Sequence, residues 1–187
     1  MKHFLLTIIL LPFFTFCGQQ KEEKKETEII HETEITQEAS AANYNATYYL
    51  IRHAEKDRTN PKNQDPSLDI HGMQRAKRWA TYFETIRIDD IYATNFIRTK
   101  QTVSFIAQQK IVSPKIYDQN TIYSEDFLKA TNGKNILIVG HSNTIPFLAN
   151  KLIGEEKFTD MDDGDNSTLF KVTINGTDKK VEVITVN

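Results

Sequence analysis

The sequence predicts an α/β fold, a three-layer α/β/α sandwich with a mostly parallel central sheet and a C-terminal antiparallel hairpin. Segments that favour strands and helices alternate along most of the chain, as this architecture requires. The apolar runs 48–51 and 136–139 are typical of parallel strands buried on both faces. Residues 167–174 and 181–186 favour strands on either side of an Asn-Gly turn, so they predict the hairpin at one sheet edge.

Residues 1–17 are predicted to be a signal segment that ends at a candidate lipidated cysteine, Cys17. A charged start precedes the apolar run 4–16, which is too short to span a bilayer stably. The position of Cys17, the only cysteine, resembles the cleavage point of bacterial lipoproteins. The resemblance implies an exported protein, held by a lipid anchor on Cys17 to a membrane of a bacterial cell envelope. The alternatives are a cleaved signal with an incidental cysteine and a plain N-terminal anchor.

Residues 18–43 are predicted to be an acidic flexible tether. Residues 19–42 hold seven Glu and three Lys with few bulky apolar side chains, so they cannot bury enough surface to offset their ordering entropy. From residue 44 to 187, acidic and basic residues nearly balance. This balance gives no indication of a nucleic-acid partner.

The first strand and the first helix are separated by a polar loop. Residues 47–51 favour the strand, and residues 57–67, which include two prolines, favour the loop. Asp69 is a suitable N-cap for a helix that continues to about residue 85. Trp79 is assigned to the core beside the buried stripe of this helix. The stripe recurs at helical spacing: Met73, Ala76, Ala80 and Phe83.

A second strand is predicted at residues 88–94, and Thr94 or Asn95 is expected to cap the helix that follows it to about residue 109. A minor strand at 116–117 and a short helix at 124–131 come next. The strand at 136–139 leads into a helix that Gly154 ends. The inward face of the second helix is predicted to contain Thr99, Thr102, Val103 and Ile106.

Side chains suited to an anion follow three of the predicted strands. Arg52 and His53 end the first strand, His141 follows the strand at 136–139, and Arg98 lies one turn into the helix after the second strand. Ligands of open α/β sheets bind beyond the carboxyl ends of the strands. Guanidinium groups can bind phosphate oxygens in bidentate fashion. The pattern therefore predicts a phosphate site.

Four segments, in order, resemble the motifs of the histidine phosphatase superfamily. Residues 50–56, Leu-Ile-Arg-His-Ala-Glu-Lys, resemble its Arg-His box, and residues 68–76 resemble the start of its first helix. Residues 92–102 resemble its Ser-x-x-x-Arg-Thr-x-Gln-Thr block, and residues 139–143 resemble its second-histidine block. Residues 44–187 are therefore identified as a histidine phosphatase-like domain of the phosphoglycerate mutase-like branch.

The resemblance implies hydrolysis of a phosphomonoester or a phosphohistidine, in a phosphorylated small molecule or a phosphoprotein. His53 would attack phosphorus to form a phosphohistidine that water resolves. Arg52, Arg98 and His141 would hold the phosphoryl oxygens, and Asn143 is assigned to substrate binding. No metal or cofactor is expected, because the arginines would neutralise the developing charge. The alternatives are phosphoryl transfer of the phosphoglycerate mutase type and a catalytically silent phosphate-binding envelope protein.

The motifs do not place the general acid that alkyl phosphates need. Glu125 is the preferred candidate, and Asp118 and Glu55 are alternatives. If none of them serves, substrates with good leaving groups are favoured, such as phosphohistidine and aryl phosphates. The acidic stretch 160–165 is interpreted as a solvated loop at the rim of the site, because its glycine and its final residue do not fit a calcium loop.

Overall fold

The computed structural model describes residues 43–187, which form one six-stranded sheet with helices on both faces. The predicted signal segment with Cys17, and the predicted tether up to residue 42, lie outside the described residues. No helix within residues 43–187 is long and apolar enough to cross a membrane. The elements are, in order, β1 (Asn45–Arg52), α1 (Ile70–Tyr82), β2 (Asp90–Ala93), α2 (Ile97–Lys110), β3 (Lys115–Ile116), α3 (Glu125–Thr131), β4 (Asn135–Gly140), α4 (Thr144–Ile153), β5 (Thr168–Asn175) and β6 (Asp178–Thr185).

The strand order is β3-β2-β4-β1-β5-β6. Strands β1 to β4 pair in parallel, with Arg52 opposite Gly140 at the carboxyl ends of β1 and β4. Strand β5 pairs antiparallel with β1, and β6 pairs antiparallel with β5 at the sheet edge. The mostly parallel sheet and its C-terminal hairpin are therefore confirmed.

Alternate residues of the central strands enter different layers, as the pleat of a strand requires. Tyr48 and Leu50 of β1 belong to the core that α4 covers, and partly buried side chains of α3 pack against it. Tyr49 and Ile51 belong to the core beneath α1 and α2, which includes Trp79. The three-layer sandwich is confirmed, and Trp79 is fully buried as expected.

Helix α1 begins where the sequence predicts. The Asp69 carboxylate accepts a hydrogen bond from the backbone N–H of Gly72 at 2.7 Å, which caps the helix. A Cβ atom on Gly72 would collide with the backbone oxygen of Glu55, so the helix start lies directly against the loop that follows β1. The helix ends at Tyr82, three residues earlier than predicted.

The predicted caps of α2, Thr94 and Asn95, are wrong. The N-cap position is Phe96, which has no side chain able to accept a hydrogen bond. Asp65 of the preceding polar loop accepts from the backbone N–H of Ile97 at 2.9 Å instead. The Thr94 hydroxyl is engaged elsewhere, by Thr99 and His141. The predicted inward face of α2 is confirmed as buried.

Candidate active site

An open pocket of about 320 Å³ lies beyond the carboxyl ends of β1, β2 and β4. It brings together five of the residues that the sequence predicts for the site and five others. The predicted residues are Arg52, His53, Arg98, His141 and Asn143. The others are Lys56, Phe96, Gln119, Ser142 and Asp163.

One nitrogen of the His53 ring is committed to the backbone. Nδ1 lies 2.8 Å from the carbonyl oxygen of Ala54, and a carbonyl can only accept a hydrogen bond. Nδ1 therefore carries the proton of the neutral ring, and Nε2 carries the lone pair. This tautomer leaves Nε2 free to act as a nucleophile.

Hydrogen bonds made by its backbone groups hold the His53 loop in place. The His53 N–H donates to Gly140 at 3.0 Å, and its carbonyl accepts from the Asn166 side chain at 2.7 Å. The Ala54 N–H donates to the Thr102 hydroxyl of α2 at 2.9 Å, and that hydroxyl donates in turn to the carbonyl of Arg98. Pre-organisation of this kind fixes the ring before a ligand arrives.

Both histidine rings are held neutral. Burial lowers the pKa of His53 to about 3; the Ala54 contact opposes this shift, and the charges of Arg52 and Arg98 add to it. Burial, followed by the charges of Arg98 and Arg52, lowers the pKa of His141 to about 4. The arginines act in the expected direction, but burial is the larger cause. Both rings are therefore uncharged at neutral pH.

The Arg52 guanidinium is almost fully buried and joins the site to the loop before β5. Nη1 donates to the carbonyl oxygens of Asp162 at 2.8 Å and Asp165 at 3.1 Å. Nη2 donates to Oδ1 of Asp163 at 2.6 Å. Arg52 therefore carries out two tasks, because it organises this loop and supplies a donor to the pocket.

The Arg98 guanidinium is oriented by an aromatic ring and by a distant carboxylate. It stacks on Phe96, 4.2 Å from the ring centroid, and Nη1 lies 3.5 Å from Oδ1 of Asp65. The same Phe96 ring meets His141 edge to face, at a centroid distance of 5.0 Å. Phe96 thus positions two of the predicted site residues; only its place two residues before Arg98 could have drawn attention to it.

Two buried donors of the site have no partner within residues 43–187. They are the Nε atoms of Arg52 and Arg98. A buried guanidinium nitrogen without an acceptor is costly unless a ligand supplies one. Both arginines line the pocket, so an oxyanion is the kind of ligand that would supply the missing acceptors. No group of three or more His, Cys, Asp or Glu side chains in this part of the chain is arranged to hold a metal ion.

A chain of hydroxyl groups orients His141. The Thr99 hydroxyl donates to the backbone carbonyl of Thr94 at 2.8 Å, so it accepts from the Thr94 hydroxyl at 3.1 Å. The Thr94 oxygen lies 2.9 Å from Nε2 of His141 and is left to accept from it. This arrangement places the proton of the neutral His141 ring on Nε2 and the lone pair on Nδ1.

The structure does not bring the candidate acids into the pocket. Glu125 is exposed and pairs with Lys129 at 2.7 Å. Asp118 accepts from the backbone N–H of Asn120 and closes a local turn. Glu55 pairs with Arg75 at 2.7 Å, on the side of the His53 loop that faces α1. None of the three carboxylates lines the pocket.

Asp163 is the carboxylate that does line the pocket, and it belongs to the acidic stretch interpreted as a solvated rim loop. The side chain is 67% exposed, in agreement with that interpretation, but the stretch also contacts Arg52. Burial by itself would raise the pKa of Asp163, but the hydrogen bonds and charges of Arg52 and Arg58 together bring it below its usual range. Sequence reasoning missed this residue, and its only signal was a run of acidic residues.

Residues 48–120 match the family model described as "Histidine phosphatase superfamily (branch 1)". No curated protein matches the chain in sequence. Solved structures share the fold. The structure of the protein histidine phosphatase SixA complexed with tungstate aligns at 13% identity, covering 74% of this chain and 96% of its own, with a TM-score of 0.60.

Two further structures are similar over most of their length. Phosphoglycerate mutase from Bacillus anthracis aligns at 15% identity, over 77% of this chain and 94% of its own, with a TM-score of 0.57. A phosphoserine phosphatase mutant from Entamoeba histolytica, in complex with phosphoserine, aligns at 17% identity, over 73% of this chain and 94% of its own, with a TM-score of 0.55. At these identities the likeness shows the fold alone.

Proposed function

Because residues 48–120 match the histidine phosphatase superfamily model, we propose that the chain hydrolyses phosphate monoesters or phosphohistidine through a phosphohistidine intermediate on His53. The observation that carries the proposal is the His53 ring itself. Its Nδ1 proton is committed to Ala54, and its free Nε2 shares a pocket with Arg52 and Arg98, whose buried Nε atoms have no acceptor. These groups are a nucleophile and two anion donors in one place.

In the first step, the Nε2 lone pair of His53 forms a bond to phosphorus while the bond from phosphorus to the leaving group breaks. The leaving group departs with the bonding electron pair and, where it is basic enough, takes up a proton from solvent. In the second step, a water oxygen attacks phosphorus, the N–P bond breaks with its electron pair returning to Nε2, and the water protons stay on the released phosphate or pass to solvent. Arg52 and Arg98 would stabilise the negative charge of the phosphoryl oxygens in both transition states. The single proton of neutral His141 is donated to Thr94, so His141 would join them only after it takes up a proton on Nδ1.

We propose that the preferred substrates have leaving groups that depart without a protein carboxylic acid. Phosphohistidine and aryl phosphates meet this condition. The support is that Glu125, Asp118 and Glu55 all point their carboxylates into other contacts. The role of Glu125 as general acid stays a prediction. If it holds, Glu125→Gln will slow alkyl phosphates far more than aryl phosphates, and equal effects would remove Glu125 from that role.

The test of the reaction uses the full-length protein and p-nitrophenyl phosphate. Samples are quenched under alkaline conditions, which preserve phosphohistidine, and the modified residue is located by mass spectrometry. We expect turnover and a phosphate group on His53. His53→Ala should lose both, and His71→Ala, which changes an exposed histidine of α1, should keep both. Absence of turnover and of label with several phosphate esters would refute the proposal and favour a silent phosphate-binding protein.

We also propose that a lipid on Cys17 anchors the protein to a membrane of a bacterial cell envelope. The support is the position of this cysteine at the end of the apolar run that starts at residue 4. Cys17→Ser should move the protein from the membrane fraction to the soluble fraction, and labelled fatty acid should no longer be incorporated. Membrane association that survives the substitution would contradict the lipid anchor.

A further inference from the structure

A carboxylate of the chain itself forms an ion pair with Arg52, one of the two arginines that line the pocket. Asp163 places Oδ1 2.6 Å from Nη2 of Arg52 and Oδ2 2.7 Å from Nη2 of Arg58. Carboxylate and phosphate oxygens bind guanidinium groups in the same way, so they compete for the same donors. The donor that Asp163 takes belongs to Arg52, which lines the same pocket as His53.

The loop around Asp163 is fastened on both sides. Before it, the Met161 N–H donates to the carbonyl of Ser142 at 2.9 Å, next to His141. After it, the Asp165 carboxylate accepts from the N–H groups of Ser167 and Thr168, both at 3.0 Å. The backbone of this loop is therefore bound to the histidine loop and to the start of β5.

Arg52 itself contributes to this fastening through a different nitrogen. Its Nη1 donates to the carbonyls of Asp162 and Asp165, and only Nη2 serves the Asp163 side chain. Release of the Asp163 carboxylate would thus leave the loop attached through Nη1. The rearrangement that frees Nη2 is the rotation of one exposed side chain, without opening of the loop.

We propose that Asp163 is a built-in competitor of the substrate: its carboxylate holds Arg52 in the free protein, and the incoming phosphoryl group displaces it. The proposal rests on the proposed function, because it assigns Arg52 to the phosphoryl group. A phosphoryl dianion carries more charge than a carboxylate and can also bind Arg98. It therefore displaces the Asp163 carboxylate from Arg52. Arg58 can keep the displaced carboxylate at the rim. A ligand with a single negative charge has a smaller advantage over Asp163, so the competition favours dianions.

The test measures the binding of inorganic phosphate to the full-length protein by calorimetry. Asp163→Asn keeps the shape of the side chain and removes its charge. We expect phosphate to bind about fivefold more tightly to this variant, the factor expected from the loss of one ion pair whose carboxylate is largely exposed. In turnover of p-nitrophenyl phosphate, KM should fall in the same proportion while kcat stays within about twofold.

Asp160→Asn is the matched control, because it removes one charge from the same loop at an exposed position. It should change phosphate affinity by less than about twofold, since exposed charges at a distance are screened. Equal gains in both variants would show a general charge effect and overturn the proposal. Unchanged phosphate affinity in Asp163→Asn would also overturn it, and a large fall in kcat would instead assign Asp163 to proton transfer. Calorimetry needs no turnover, so the failure of hydrolysis and the failure of this competition are separate outcomes.

Discussion

The imidazole rings of His53 and His141 meet edge to face, with their centroids 5.4 Å apart. They come from loops that follow neighbouring parallel strands, and the pairing of Arg52 with Gly140 at the ends of those strands sets the distance between them. A positive charge on His141 would further lower the pKa of His53, in addition to burial and the two arginines. Both rings are therefore uncharged when an anion enters the pocket.

The first prediction concerns the titration of the two rings. Because burial and nearby arginines lower the pKa of His53 to about 3 and that of His141 to about 4, both should stay neutral between pH 5 and 8. Nitrogen NMR of the full-length protein should show both titration midpoints below pH 5, with the proton on Nδ1 of His53 and on Nε2 of His141. The variants His53→Gln and His141→Gln assign the signals. A midpoint near 6.5 for either ring would contradict the prediction.

The second prediction concerns stability at low pH. A histidine whose pKa is lower in the folded state binds protons preferentially when unfolded, so its contribution to stability is present above pH 6.5 and is lost as pH falls below that value. For His53 the loss continues down to about pH 3 and amounts to about 2 kcal/mol between pH 7 and pH 5. Urea unfolding at the two pH values should show it. His53→Gln should have a smaller pH difference, and an equal difference would be evidence against the buried neutral ring.

The third prediction separates a guanidinium from a simple positive charge. Arg98→Lys keeps the charge but loses the planar fork and the stacking on Phe96, so kcat/KM for p-nitrophenyl phosphate should fall by about 10²–10³-fold. Arg87→Lys is the control. That arginine is exposed and pairs with Asp89 away from the pocket, so its replacement should change the rate less than twofold. Near-normal activity of Arg98→Lys would show that the charge alone suffices.

The fourth prediction concerns the hydroxyl that orients His141. Thr94→Val removes the acceptor 2.9 Å from Nε2, so the ring should lose its fixed tautomer and kcat should fall by about 10-fold. Thr94→Ser retains the hydroxyl and should retain most of the activity. The nitrogen NMR signals of His141 should report mixed tautomers in the valine variant only. Equal activity in both variants would remove Thr94 from this role.

The fifth prediction concerns the close approach of α1 to the His53 loop. A Cβ atom on Gly72 would collide with the backbone oxygen of Glu55, and a backbone atom cannot move aside cheaply. Gly72→Ala should therefore lower the free energy of unfolding by about 3 kcal/mol or more. Gln74→Ala, at an exposed position of the same helix, should change it by less than about 0.5 kcal/mol. Urea unfolding of both variants provides the comparison, and similar stabilities would contradict the close packing.

Local patterns were sufficient for the architecture and for most of the pocket. The apolar runs of β1 and β4 predict two buried parallel strands, and parallel strands bring their carboxyl ends to one edge. Arg52, His53 and His141 therefore had to lie near one another once both strands were assigned to the same sheet. Asp69 as the cap of α1 follows from its side chain and its distance from the apolar stripe, which are properties of a single segment.

Other contacts depend on how loops that are far apart in the sequence pack near the pocket. Asp65 caps α2 from the loop before α1, and Asp163 binds Arg52 although the two residues are 111 positions apart in the sequence. Neither contact leaves a trace in periodicity or propensity, because each joins segments that are far apart in the sequence. By itself the sequence determined which side chains meet at the sheet edge. The tertiary structure alone decided which nitrogen of His141 keeps its proton and which carboxylate binds Arg52, since both depend on distances between segments that are far apart in the chain.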